Sequence, residues 1–379
     1  MLIHLDSAAA ADAISASATA ARSRAAIENL LLAHFEGNHV ISMLPEDAAT
    51  LRMATPPWSE RARRALDHID EAYPQIAGLR ADAPWALELV LGPSFDGKIH
   101  DLPGGAKVLR APLHSFEKSH QAACSVLLGE NSADADFLCE VGLMRRAERG
   151  WEAVGMVHEA RGTGGSTFAP EYRQLADRGR ILLAVADSDK RHPKGGHGGT
   201  YKKLEAKARG RPAYQRARCL PTRTAEALVP PSVYRAAFQC LYNEDYQCLG
   251  SLDRLEPFLR SAPSDTILHA DVKRGITIFQ VDHFENEAER SYWGEIAKKA
   301  KRDQCTRSSL EQCTKREDCR CYVVDALGDK ALADVVTWMK ARKSKRDLAA
   351  RFDLSRNADL SALADEVLAW GLALPPLLT

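Results

Sequence analysis

Three carboxylates stand where they could do chemistry together. Glu130 follows a short apolar run in LLGENSADADFL, and Asp187 and Asp189 follow a longer one in ILLAVADSDK. Acidic residues directly after apolar strands sit where open α/β sheets place their ligands, at the strand carboxyl ends. If the two strands are neighbours, the three side chains converge. Two like charges 4 Å apart repel by roughly 4 kcal/mol at an effective dielectric near 20, so a convergent set calls for a cation. Carboxylate oxygens are the hard donors that Mg2+ or Mn2+ prefers, and one or two such ions can activate water and stabilise the oxygens of a phosphoryl displacement. The competing assignment is local: an acid at a strand end often only caps the next helix.

Around this set lie groups suited to phosphate. Lys190 and Lys194 could neutralise charge on a phosphate. A glycine-rich basic stretch continues through Lys202 and Lys203 to Lys207, Arg209, Arg211, Arg216 and Arg218, as sequence-independent backbone contact requires. His192 and His197 could ligate metal or carry protons, and equally could be polar loop residues. Asp271 and Lys273 before GITIF could complete a nuclease site or form a surface ion pair. Cys305, Cys313, Cys319 and Cys321 have spacings that suit a zinc knuckle poorly, which leaves reduced thiols as the other reading. Basic runs at 298–302 and 340–346 fit solvated helix faces, a partner site or an extension of a nucleic-acid track.

The elements needed to hold these residues can be read from periodicity. Residues 7–35 carry apolar positions at helical spacing, and strands are expected at 39–44 and 85–91 with a helix over 60–72. From residue 122 strands and helices alternate. Strands are expected at 122–128, 151–158, 181–186 and 217–220, and helices at 133–146, 170–178, 201–208 and from 224. The run ILLAVA reads as a strand buried on both faces, and the βα alternation predicts a mostly parallel sheet flanked by helices. Beyond 230 the chain reads as mainly helical, with a strand at 275–281 and an amphipathic helix from Leu360 to Pro375. Three regions result: an α+β N-terminal region over 1–115, an α/β domain over 116–235 and a largely helical remainder over 236–379.

With these elements in place, LLGENSADADFL resembles the Toprim signature of strand, small residue and Glu, with an acidic residue opening the next helix. RGRILLAVADSDK resembles its strand and DxD. ARGTGGSTFAPEYRQLA, HGGTYKKLEA and PTRTAEALVP resemble the later motifs of nucleases of the overcoming-lysogenization-defect type, over about 110 residues. The resemblance implies a Toprim-like fold with two Mg2+ or Mn2+ ions. It implies metal ligands at Glu130, Asp187 and Asp189, a second-site ligand at Asp134, and a further one at Glu226. Gly164 and Gly165 would let backbone approach the active edge. The chain departs from the family at Asn131, where Gly is common, and at Arg191, where topoisomerase-like members carry a third aspartate. It has no Gly-Lys-Ser/Thr phosphate loop, so an accompanying ATPase would be a separate protein.

Composition fits a folded cytoplasmic protein. Of 379 residues 45% are hydrophobic and 27% charged, with 51 basic against 51 acidic, so any nucleic-acid surface must be a local patch. No run is apolar enough for a membrane helix, and the first residues do not read as a secretory signal. The nine cysteines then read as mostly reduced. The expected activity is a metal-dependent nuclease acting on DNA or RNA, with an anti-phage or toxin-like role, a separate ATPase or sensor partner, and self-association left open. The alternatives are a non-catalytic nucleic-acid-binding subunit and a metal enzyme acting on other phosphate esters.

Overall fold

A computed structural model describes residues 1–55, 57–92, 99–102, 105–242, 246–299 and 321–377. The chain divides into two compact units: residues 1–185, 203–218 and 356–379 form the first, and residues 186–202 and 219–355 the second.

The first unit opens with a strand that short length hides in the sequence, β1 (Leu2–Leu5), all four residues buried. Asp6 caps α1 (Ser7–Ala13) by accepting from the Ala8 N–H at 2.7 Å. Then come α2 (Ala20–Phe35), β2 (Val40–Ser42), α3 (Pro45–Arg52), α4 (Glu60–Glu71), α5 (Tyr73–Asp82), β3 (Trp85–Val90), β4 (Ile99–Asp101) and β5 (Lys107–Pro112). In α4 the buried residues Ala62, Ala65, Leu66 and Ile69 recur at i, i+3, i+4 and i+7, the stripe a surface helix needs. The strands form one sheet in the order β2-β1-β3-β5-β4, with β1 parallel to both β2 and β3, β3 parallel to β5, and β4 antiparallel to β5. This corrects the α+β expectation for residues 1–115: helical crossovers separate β1, β2 and β3, so these pair in parallel, and β5 joins β3 in parallel after the edge strand β4.

The second sheet follows: β6 (Val126–Gly129), α6 (Ser132–Glu148), β7 (Gly155–Met156), β8 (Glu159–Gly162), α7 (Phe168–Asp177), β9 (Leu182–Ala186), α8 (Gly199–Ala208) and β10 (Gln215–Cys219). Its order is β10-β9-β6-β8. β6 pairs in parallel with β8, Val126 opposite Glu159, and with β9, Val126 opposite Leu182. The bonds Leu182 N to Tyr214 O, 3.0 Å, and Leu220 N to Ala186 O, 2.8 Å, advance together, so β10 also runs parallel. All of β9 is buried, as ILLAVA predicts. The mostly parallel sheet flanked by helices is thus present. Of the strand expected at 151–158 only Gly155–Met156 is extended, and the strand beside β6 is β8, which begins at Glu159.

The second unit holds α9 (Pro231–Tyr242), α10 (Gln247–Ser261), α11 (Thr266–His269), β11 (Ile276–Thr277), α12 (Ile278–His283), α13 (Glu287–Lys299), β12 (Tyr322–Val324), α14 (Ala331–Lys340) and α15 (Lys345–Arg351). The expected strand at 275–281 lasts two residues. Thr277 accepts from the Gln280 N–H at 3.2 Å while Gln280 reaches back to the Thr277 N–H at 2.8 Å, a capping box that turns the chain into α12.

The chain returns to the first unit with α16 (Ala358–Gly371) and β13 (Leu372–Ala373). Leu363, Ala364, Val367, Leu368 and Trp370 of α16 are all fully buried, so the helix expected from Leu360 is a core element, and it ends at Gly371 rather than at Pro375. β13 pairs antiparallel with β7. On α16, Glu366 is buried between Arg216, 2.9 Å away, and Arg218, and Asp365 takes Arg145 at 2.7 Å and Arg149 at 2.8 Å. Arg216 also lies 5.0 Å above the Trp85 ring, which meets Trp370 edge-on at 5.5 Å. These contacts lock α16 to both sheets of this unit. Among the described residues no helix is long and apolar enough to cross a membrane.

Two desolvated histidines of this unit, His34 buried and His158 half-buried, make its stability depend on pH. His158 lies between Ser125 Oγ, 3.0 Å, and the Val367 carbonyl, 2.8 Å, and burial pulls its pKa down to about 4. His34 accepts the Ile41 N–H at Nδ1, 3.1 Å, and burial, with His68 beside it, lowers it to about 3. Below about pH 6.5 the unfolded chain takes up protons that the folded chain refuses, so stability falls as pH drops from there toward 4. Urea titrations should show each histidine removing about 2 kcal/mol between pH 7.5 and pH 5. A His158→Gln variant should lose a correspondingly smaller amount over that range, and an unchanged slope would rule out His158 as a source.

Candidate functional site

Glu130 stands one residue beyond β6, at the entrance to α6. Asn131 caps that helix and Asp134 completes the box. Asp134 N–H donates to Asn131 Oδ1 at 3.0 Å, and Asp134 Oδ2 accepts from the Asn131 side chain at 2.7 Å and its backbone N–H at 3.2 Å. Asp134, proposed by resemblance as a second-site ligand, is therefore occupied in starting a helix and is buried there. The first turn of α6 rests directly on the strand ends. A Cβ on Gly162 would lie 2.0 Å from Ser132 N, and one on Gly129 would lie 2.7 Å from Ala135 N. Gly164, at φ +82°, donates its N–H to the Glu130 carbonyl at 2.6 Å, so the glycine turn after β8 is tied to the residue after β6. Beside this turn is an open cleft of about 500 Å3 lined by Arg161, Gly162, Thr163, Thr167 and Glu171 among others. Arg161 is held there by Glu159 and, at 2.7 Å, Glu171.

The DSD turn lies in the second unit and is shaped by the segment after β10. Asp187 Oδ1 accepts the Ala225 N–H at 3.1 Å, Ser188 Oγ donates to the Thr222 carbonyl at 2.6 Å, and Asp189 N–H donates to the Arg223 carbonyl at 3.0 Å. Glu226, next to Ala225, is buried in a short helical turn over 225–228. Asp189 adopts a left-handed conformation, φ 52°, uncommon for a residue with a side chain and a mark of a site where structure is imposed. Its carboxylate folds into the space that Gly198 leaves: a Cβ there would sit 2.0 Å from Asp189 Oδ2. Desolvation raises the Asp189 pKa, Arg223 and Arg191 pull it down, and Asp271 pushes it up.

Sequence reasoning missed Arg223. Its guanidinium is mostly buried, pairs with Asp271 at 3.1 Å, and has its own pKa lowered by desolvation against the pull of Asp271. Its backbone N–H donates to Leu268 O at 2.6 Å. Asp271 is thus part of the surroundings of Asp189. Lys273, expected beside it, lies 3.6 Å from Asp329 instead. A basic residue just past β10, at the same sheet edge as the DSD turn, was the available signal. Arg191 approaches Glu289 at 3.7 Å and accepts from Trp293 Nε1 at 2.7 Å through its carbonyl, and the Lys190 carbonyl meets His269 Nδ1 at 3.4 Å.

His192 is buried, and its carbonyl closes a turn with the Gly195 N–H at 2.9 Å. His197 Nδ1 lies 3.3 Å from Cys219 Sγ, and its ring packs against Tyr201. Lys194, Lys202 and Lys203 are exposed. Of the cysteine cluster, Cys305, Cys313 and Cys319 lie outside the described residues, as does most of the basic run at 298–302.

Among the described residues no three His, Cys, Asp or Glu side chains form a ready-made ion cage. The donors at the DSD turn are nevertheless hard carboxylate oxygens, and the desolvation that raises the proton affinity of Asp189 is a cost that a cation would relieve. This donor set fits Mg2+ or Mn2+. No protein-family model, curated protein or solved structure matches the chain.

The Gly198 contact gives a direct check. A Gly198→Ala substitution should drive the Asp189 carboxylate out toward solvent, and an NMR titration should find its pKa moved down toward that of an ordinary aspartate. An unchanged titration would show that Gly198 does not cover it.

Proposed function

We propose that this chain is a metal-dependent nuclease with a Toprim-like second sheet, cutting phosphodiester bonds in DNA or RNA. One observation carries the reading. In the order β10-β9-β6-β8, the connection after β6 leads to β8 on one side and the connection after β9 leads to β10 on the other, so the sheet has its switch point between β6 and β9. Ligand sites in open α/β sheets lie at the carboxyl ends of the strands flanking such a point. The first residue after β6 is Glu130, and the first after β9 is Asp187, with Asp189 two further on.

Asp187 and Asp189 would hold the ion, and the resemblance adds Glu130 and Glu226 to its ligands. When bound, a divalent ion there supplies positive charge to the scissile phosphate and a water nucleophilic at neutral pH. The chain's own residues supply the rest. Glu130 takes the proton of the attacking water. Lys190 offsets charge on the phosphate. Arg223, fixed by Asp271, balances the carboxylate of Asp189. Lys194, Lys202 and Lys203 meet the nucleic-acid backbone. The resemblance adds a setting in anti-phage defence with a separate ATPase or sensor partner.

A specific observation favours a second reading, a non-catalytic nucleic-acid-binding subunit: Asp134 and Asp187 both give carboxylate oxygens to backbone N–H groups. A plasmid assay with Mg2+ or Mn2+ separates the two. The wild type should nick or linearise DNA, and Glu130→Gln and Asp189→Asn should each cut at least about 10²-fold more slowly while keeping native circular dichroism. Wild-type protein that binds the plasmid with either metal but leaves it intact would establish the second reading.

A further inference from the structure

The turn between α14 and α15, in the second unit, concentrates positive charge in a chain whose total is zero. Residues 340–351 contain Lys340, Arg342, Lys343, Lys345, Arg346 and Arg351 against the single acid Asp347. Some of these cations are engaged in building the turn. Lys345 Nζ donates to the Met339 carbonyl at 2.7 Å and so closes the C-terminal end of α14. Arg342 lies 4.7 Å above the Trp338 ring and donates to Cys240 Sγ at 3.3 Å. Ser344 accepts the Asp347 N–H at 3.1 Å and opens α15. Lys343, Arg346 and Arg351 are exposed, and among the described residues none has an acidic partner within ion-pair distance. Elsewhere arginines are commonly paired, as Arg145, Arg161, Arg216, Arg223, Arg235 and Arg254 show. The cluster is therefore a preorganised turn presenting three exposed cations, Lys343, Arg346 and Arg351, that are not held in ion pairs among the described residues.

We propose that this turn is a docking surface for the phosphate backbone of nucleic acid, with Lys343, Arg346 and Arg351 as its contact cations. It deepens the nuclease reading by giving the substrate a second point of grip, and relies on that reading only for the kind of polyanion. The chemistry of the patch favours this occupant. A membrane-surface helix needs an apolar face to insert, but Leu348, Ala349, Phe352 and Leu354 are all buried. A protein interface needs aromatic or aliphatic anchors at its centre, and Trp338, the aromatic of the turn, is buried too. What the surface offers is charge, two of its three free cations being guanidinium groups matched to phosphate oxygens. Contacts of that kind are largely independent of base sequence.

The test measures binding of a fluorescent 30-bp duplex by anisotropy in EDTA, over a range of NaCl concentrations. The triple variant Lys343→Ser, Arg346→Ser and Arg351→Ser should bind about 10-fold or more weakly at moderate salt. The slope of log K against log salt should become shallower by about 0.9 for each lost phosphate contact, equally for unrelated sequences. Arg260→Ser, which removes an exposed cation from α10, should leave affinity and slope near wild type. A triple variant with wild-type affinity and slope would overturn the assignment. So would a wild type that fails to bind the duplex, or a triple variant that loses binding only to phosphatidylserine vesicles. With metal absent, the result stands apart from whether Glu130 and Asp189 support cleavage.

Discussion

The parallel pairing of β6 with β9 is the constraint on which the rest depends. Val126, Leu127 and Leu128 lie opposite Leu182, Leu183 and Ala184, and all six are fully buried. Slipping this register by one residue would turn every side chain of one strand to the opposite face of the sheet. Because β6 connects to one side and β9 to the other, the chain can leave both strands at the switch point without its connections colliding. The close seat of α6 follows from the same region. Gly129 and Gly162 lack the atoms that would hold the helix start away from the sheet, and Asn131 with Asp134 closes its first turn.

The DSD turn shows how a charged group is held where water is partly excluded. Asp189 is kept in a strained backbone conformation by bonds to the segment after β10 and lies in the gap left by Gly198. Desolvation raises its proton affinity, while Arg223 and Arg191 oppose that rise. Arg223 is in turn desolvated and leans on Asp271.

Much of this was legible in the sequence because it is local. An unbroken apolar run such as ILLAVA, followed directly by acids, is enough to place a buried parallel strand and the residues beyond it. The glycine turn at 162–165 was visible as composition, but the reason for Gly162, backbone contact with the start of α6, appears only in three dimensions. The errors share a cause. β1 and β8 have four residues each, too few for periodicity to register, so the N-terminal region was read as α+β and the strand after α6 was placed at 151–158. The strand expected at 275–281 failed because the capping box of Thr277 and Gln280 outweighs the β-branched residues around it. The burial of α16 and the Arg223–Asp271 pair depend on partners distant in the chain, which no local pattern encodes. For Asp134, the sequence supported both cap and ligand, and the observed hydrogen bonds show the cap.

Anomalous scattering from a crystal grown with Mn2+ tests the central claim most directly. Manganese should appear within direct coordination distance of the carboxylates of Asp187 and Asp189, with Glu130 turned toward the same ion, and its peak should vanish in Asp189→Asn. Manganese bound elsewhere, or none at the DSD turn with Glu130 directed away from it, would contradict the account.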